Sequence, residues 1–134
     1  MVSVRLLRAV GIDNTIAHLR RFGFSPSDLP RNETLSLGSA SLTPLELVTG
    51  YAVFANGGYR VDPYLINKMT DSKGTVLFEA TPTHAHENAT RVLDARTAFV
   101  VDSMLQEVTK TGTAASARGK LGRADLAGKT GTTN

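Results

Sequence analysis

Residues 43–58 constrain the fold more than any other stretch of this chain. Thr43-Pro44-Leu45-Glu46 combines an N-capping hydroxyl with a proline at the first helical position, where its missing N–H costs nothing. The glutamate three residues after the cap can return a hydrogen bond to the cap's own N–H, which completes a capping box. Leu47, Val48, Tyr51, Phe54 and Ala55 follow on one broad face, and Asn56-Gly57-Gly58 closes the run. The pattern predicts a well-specified amphipathic helix.

The flanking signals are weaker but coherent. Val2, Leu6, Leu7 and Val10 recur at helical spacing up to Gly11. A second short helix is expected from an Asp13 cap through Ile16 and Leu19 to Gly23, which suits a left-handed C-terminal position. Residues 24–32 are dense in turn formers and read as loop. Segments 64–69 and 75–78 flank Asp71-Ser-Lys-Gly74, a hairpin signature, and residues 80–90 read as an exposed connector. A further helix is expected from Asp94 through Val101, Met104, Leu105 and Val108 to Gly112. Residues 126–134, rich in Thr and Gly and without helical period, read as a strand that needs neighbours.

Composition excludes several classes. At 134 residues, the chain is long enough for one modest domain or part of a larger one. Charged residues at 20% and hydrophobic residues at 41% are ordinary for a globular protein. No apolar run approaches the roughly 18 residues of a spanning helix, and Val2-Ser-Val-Arg-Leu-Leu-Arg lacks the apolar core of a secretory signal. The net charge of +3 comes from scattered residues, and three Tyr and five Phe are too few for a stacking stripe, so no nucleic-acid partner is expected. The absence of cysteine removes disulfides, thiol catalysis and cysteine–zinc sites together.

Most polar candidates have simple structural readings. His84 and His86 have no third ligand nearby in sequence, so they read as part of a solvated loop, and neither metal nor cofactor is expected. His18 reads as a surface histidine, and Asp102 and Glu107 as isolated carboxylates. Ser36, Ser39 and Ser41 lack a nearby general base, and loop hydrogen bonding explains them.

Lys129-Thr130 is different. A phosphate loop would need glycine at 123, where Arg123 stands, so that reading fails on spacing. Lys-Thr-Gly at 129–131 fits better the third signature of penicillin-interacting serine enzymes, whose other two are Ser-x-x-Lys and Ser-x-Asn. There a lysine supplies positive charge to a carboxylate-ended substrate and to the proton relay. Threonine hydroxyls donate to the carboxylate, and glycine leaves room for an extended peptide. The same triplet also occurs at 110–112, where Lys110 closes a helix, a place that favours a cation, and Gly112 caps it. Local pattern favours Lys129 as the functional copy.

Residues 35–60, 92–105 and 125–134 together resemble the transpeptidase domain of class A, bifunctional penicillin-binding proteins, and the likeness covers essentially the whole chain. The resemblance implies an α+β fold, with helices packed on an antiparallel sheet and the Lys-Thr-Gly strand at the active-site edge. It implies a role for Lys129 in the acylation relay and carboxylate recognition, and substrate binding by Thr130, Gly131 and Thr132, with Thr130 and Thr132 holding the carboxylate. The Thr132 N–H would form half of the oxyanion hole. The implied reaction cross-links peptidoglycan stem peptides through a seryl acyl-enzyme, which β-lactams would also acylate. The implied location is outside a cytoplasmic membrane, on an anchored protein.

The departure from the family pattern is as informative. No serine stands three residues before any lysine, nor two before any asparagine, so both Ser-x-x-Lys and Ser-x-Asn are missing. The expectation is therefore the middle-to-C-terminal part of such a domain, residues 1–134, truncated at both ends, inactive alone and prone to self-association. A non-catalytic module for carboxylate-ended peptides and a structural remnant are the alternatives.

Overall fold

The computed structural model describes residues 2–131. Two helices open the chain, α1 (Val2–Val10) and α2 (Ile12–Arg21), separated by Gly11. Single 3-10 turns at Pro26–Asp28 and Glu33–Leu37 lead to α3 (Pro44–Ala55). Four short strands follow, β1 (Tyr59–Arg60), β2 (Lys68–Thr70), β3 (Val76–Glu79) and β4 (Thr90–Arg91), then α4 (Ala95–Lys110) and α5 (Ala115–Leu121). The strands form two antiparallel pairs, β1 with β4 and β2 with β3. The architecture is α+β, as expected.

The capping box is present in full. Glu46 N–H donates to Thr43 Oγ1 at 3.2 Å, and Thr43 N–H donates to Glu46 Oε2 at 2.7 Å. That backbone N–H, together with the Thr43 hydroxyl, holds the Glu46 carboxyl below its usual range. The burial of α3 differs from the expected single face. Gly50 and Val53 face the core, whereas Leu47, Val48 and Tyr51 on the expected face are exposed. The helix is apolar nearly all round, so its periodicity did not single out one inner face.

The core is small and sits where α2, α3 and the β1–β4 pair converge. Phe22, Val53 and Val92 are buried there, with Phe24, Phe54 and Leu93 packed against them. Gly58 makes the junction possible. Its φ is +97° and an added Cβ would lie 2.4 Å from the Leu93 carbonyl oxygen, while its own carbonyl accepts from the N–H groups of Val92 and Leu93 at 2.8 and 3.1 Å.

The hairpin forms with Asp71 at its turn. Asp71 Oδ1 accepts from the N–H groups of Lys73 and Thr75, each at 2.8 Å, which holds the carboxyl below its usual range, the Thr75 N–H contributing most. Its first strand is shorter than 64–69, and its second is shifted by one residue from 75–78 at the same length. Pairing ends where Ala80 N–H meets the Asn67 carbonyl at 2.8 Å, so residues 64–66 have no ladder partner. Asp13 is not the cap of α2. Gly11 holds that position without a side-chain bond, and Asp13 lies in the first turn, paired with Arg31. Gly23 is left-handed, φ +99°, as expected.

The segment read as loop, 24–32, contains the 3-10 turn Pro26–Asp28, and two further segments are helical without having been expected. The 3-10 turn at 33–37 is nucleated by Asn32, whose side chain accepts from Thr34 N–H at 3.0 Å. α5 has neither a capping side chain nor a buried residue, so it carried no periodic apolar signal.

Candidate functional site

The site is built on the C-terminal half of α4. Asp94 caps this helix by accepting from Arg96 N–H at 2.9 Å, and that bond holds the Asp94 carboxyl below its usual range. Three contacts then fasten residues 126–130 to the helix and the turn after it. Thr109 Oγ1 lies 2.6 Å from the Leu126 carbonyl and 2.8 Å from the Gln106 carbonyl, which share its one proton, Gly128 N–H donates to the Leu105 carbonyl at 3.1 Å, and Thr113 Oγ1 lies 2.7 Å from Thr130 Oγ1.

This anchoring replaces the ladder that the sequence led one to expect. Residues 126–131 have no regular secondary structure and belong to neither sheet, and among the described residues no strand runs beside them. A strand exists only through its partner's hydrogen bonds, and here α4 supplies the tether instead. The segment enters through Arg123 and Asp125, whose side chains pair at 2.6 Å. The guanidinium's hydrogen bond, seconded by Asp125's own backbone, pulls the Asp125 carboxyl down to about 2.

Lys129, Thr130 and Gly131 are all exposed at the end of this segment. Lys129 Nζ donates to the Thr130 carbonyl at 2.8 Å and lies 3.4 Å from Thr130 Oγ1. A Cβ added to Gly131 would meet nothing within 4 Å, so the backbone there is open to an approaching chain. Thr132 lies outside the described residues. The structure thus gathers an ammonium, a hydroxyl and bare backbone on one exposed stretch, a set suited to an anion-ended peptide.

The other copy of the triplet is built differently. Lys110 is the last residue of α4, and Thr111 Oγ1 donates to Glu107 Oε1 at 2.8 Å. Gly112 does not take a left-handed cap. Its requirement is steric, since an added Cβ would lie 2.8 Å from Val108 Cα and 2.9 Å from the Val108 carbonyl oxygen. The chain therefore folds tightly over the last turn of α4 and delivers Thr113 to Thr130.

The remaining candidates stay local. His84 N–H donates to Asn88 Oδ1 at 2.7 Å, and the His86 ring packs 4.6 Å from the Tyr59 ring centre. Among the described residues no three metal-ligating side chains converge. His18 is exposed and meets Phe22 edge-on, Asp102 accepts from Gln106 Nε2 at 2.7 Å, and Ser36 and Ser39 bond within their own loop. Thr109 and Thr113 were not singled out from the sequence. A signal for Thr109 existed: it is a polar residue four after Leu105 on the inner stripe of α4, and it is only 5% exposed.

The fold and the segment at 126–131 define a class, and the comparisons give the same one. The sequence profile described as the penicillin binding protein transpeptidase domain matches residues 1–134, and the chain belongs to that family. Among curated proteins it is 46% identical over its whole length to Penicillin-binding protein 1A of Neisseria lactamica. It is 37% identical to the Pseudomonas aeruginosa protein of that name. It spans 17% and 22% of their lengths. The crystal structure of Penicillin-Binding Protein 1A from Haemophilus influenzae superposes with a TM-score of 0.89 at 34% identity, covering 99% of this chain and 25% of that one. No helix among the described residues is long and apolar enough to cross a membrane.

Proposed function

We propose that this chain supplies the carboxylate-binding side of a D-alanyl-D-alanine transpeptidase site, as the middle-to-C-terminal part of such a domain. The observation that carries the reading is the exposed Lys129–Gly131 segment, tethered to α4 and to the turn after it. Lys129 serves the proton relay of the acylating serine and adds positive charge at the substrate's end. Thr130 and Thr132 donate to the terminal carboxylate, and Gly131 lets the peptide lie close. A serine hydroxyl attacks the carbonyl between the two D-alanines, releases the terminal one and leaves an acyl-enzyme, which a second stem peptide's amine resolves. β-Lactams enter the same step. The whole protein is anchored in the cytoplasmic membrane with this domain outside it.

The nucleophile is not on this chain, because Ser-x-x-Lys occurs nowhere in its sequence. That same fact supports a second reading, a non-catalytic module that binds peptide carboxylates. Reconstitution separates the two. A serine-bearing part of a relative's transpeptidase domain is mixed with this chain, and its acylation by a fluorescent penicillin is timed. Acylation that depends on residues 1–134 supports the enzyme reading. Peptide binding without any gain in acylation supports the module.

A further inference from the structure

We propose that Thr113 is a positioning residue for carboxylate recognition. Its hydroxyl donates to Thr130 Oγ1 and so leaves the Thr130 proton free to meet the ligand. The proposal rests on the reading of residues 129–131 as the substrate-binding segment.

A threonine hydroxyl has one proton to donate and two lone pairs to accept with. Thr130 Oγ1 has two neighbours, the Lys129 ammonium at 3.4 Å, which can only donate, and the Thr113 hydroxyl at 2.7 Å, which can do either. If Thr113 donates, both Thr130 lone pairs face donors and its proton points away from them. If Thr130 donates instead, its proton is used inside the protein and a carboxylate would meet a lone pair. Only the first arrangement lets the Thr130 hydroxyl donate to an anion.

The scaffold fixes the distance between the two hydroxyls from both sides. The turn bearing Thr113 is pinned to α4 by Gly112 N–H donating to the Glu107 carbonyl at 3.2 Å and Ala114 N–H donating to the Val108 carbonyl at 3.1 Å. Gly112 allows this, because a Cβ there would strike the Val108 backbone. The segment bearing Thr130 is pinned to the same helix through Leu126 and Gly128. Both threonines are exposed, and a neutral hydrogen bond between solvated groups adds little to stability. Its consequence falls on the ligand, which displaces the water.

The test follows the Thr130 and Gly131 amide signals of the full chain by NMR during titration with N-acetyl-D-alanyl-D-alanine, and separately with its methyl ester. The acid should shift both signals in the wild type and the ester should not. Thr113→Val should weaken the acid's apparent affinity about tenfold while moving the melting temperature by no more than about 2 °C. Thr113→Ser, which keeps the hydroxyl, should restore it. If Thr130→Val weakens the acid but Thr113→Val binds it like the wild type, the positioning role is overturned and the substrate-binding reading stands. If the wild type ignores the acid, or Thr130→Val binds it unchanged, that reading fails and the positioning role fails with it.

Discussion

Lys-Thr-Gly occurs twice in this chain, and the two copies share almost nothing structurally. At 110–112 it ends a helix, its threonine is tied to Glu107 and its glycine has no space for a side chain. At 129–131 it is irregular and exposed, its lysine and threonine lie side by side, and a side chain added at its glycine would meet open space. A tripeptide carries too little information to choose its own conformation. The amphipathic run before Lys110 makes the first copy a helix end, and the tether to Leu105 and Thr109 holds the second as a strip. The proposed chemistry goes with the second, where charge, a hydroxyl and backbone are offered together.

The widest separation between the copies is expected in catalysis. In the reconstituted transpeptidase, Lys129→Ala should lower the second-order acylation rate by about 10²–10³, equivalent to about 3–4 kcal/mol of transition-state stabilisation. Lys110→Ala should leave that rate within a few-fold and cost only about 0.3–1 kcal/mol of stability through the helix terminus. The reverse result would move the site to the first copy.

Stability should separate the glycines in the opposite sense. Gly112→Ala forces a Cβ against the Val108 backbone and should destabilise the chain by about 1–3 kcal/mol in urea unfolding. Gly131→Ala meets open space and should leave the unfolding midpoint unchanged. Next in size is the link between the copies. Thr109→Val leaves the Leu126 carbonyl without its 2.6 Å donor and should cost about 1–2 kcal/mol. Exchange of the Gly128 amide should quicken with it, whereas Thr111→Val should leave that exchange unchanged.

The smallest effect is electrostatic and concerns the entry to the second copy. The Asp125 carboxyl titrates at about 2 in the folded chain, below its ordinary value of 3.8. A folded-state value lowered in this way favours folding above the ordinary value, and that contribution fades as the pH falls through about 2. The pair with Arg123 is exposed, so the change should be seen as an NMR titration of the Asp125 side chain more readily than as a change in melting.

What the sequence revealed depended on whether the determining interactions were local. The capping box at Thr43, the Asp71 turn and the left-handed Gly23 were all legible, because each is decided within a few residues. The inner face of α3 was not, since Leu47, Val48 and Tyr51 are as apolar as Val53 and only long-range packing chooses between them. Phe99 at 72% and Met104 at 65% exposure show the same on α4. These open faces are the physical basis for the expected self-association. At the site, Lys129, Thr130 and Gly131 could be named from pattern and resemblance. Thr113 could not, because its partner lies 17 residues away across a turn that only Gly112 permits.

This chain is proposed to bring the carboxylate-binding strip of a seryl acyl-transfer site and not the serine. Intact-mass spectrometry of the chain after incubation with a penicillin tests it most directly. The mass of residues 1–134 should stay unchanged, both alone and after reconstitution, with any penicilloyl adduct found on the serine-bearing partner. A stoichiometric adduct on this chain would contradict it.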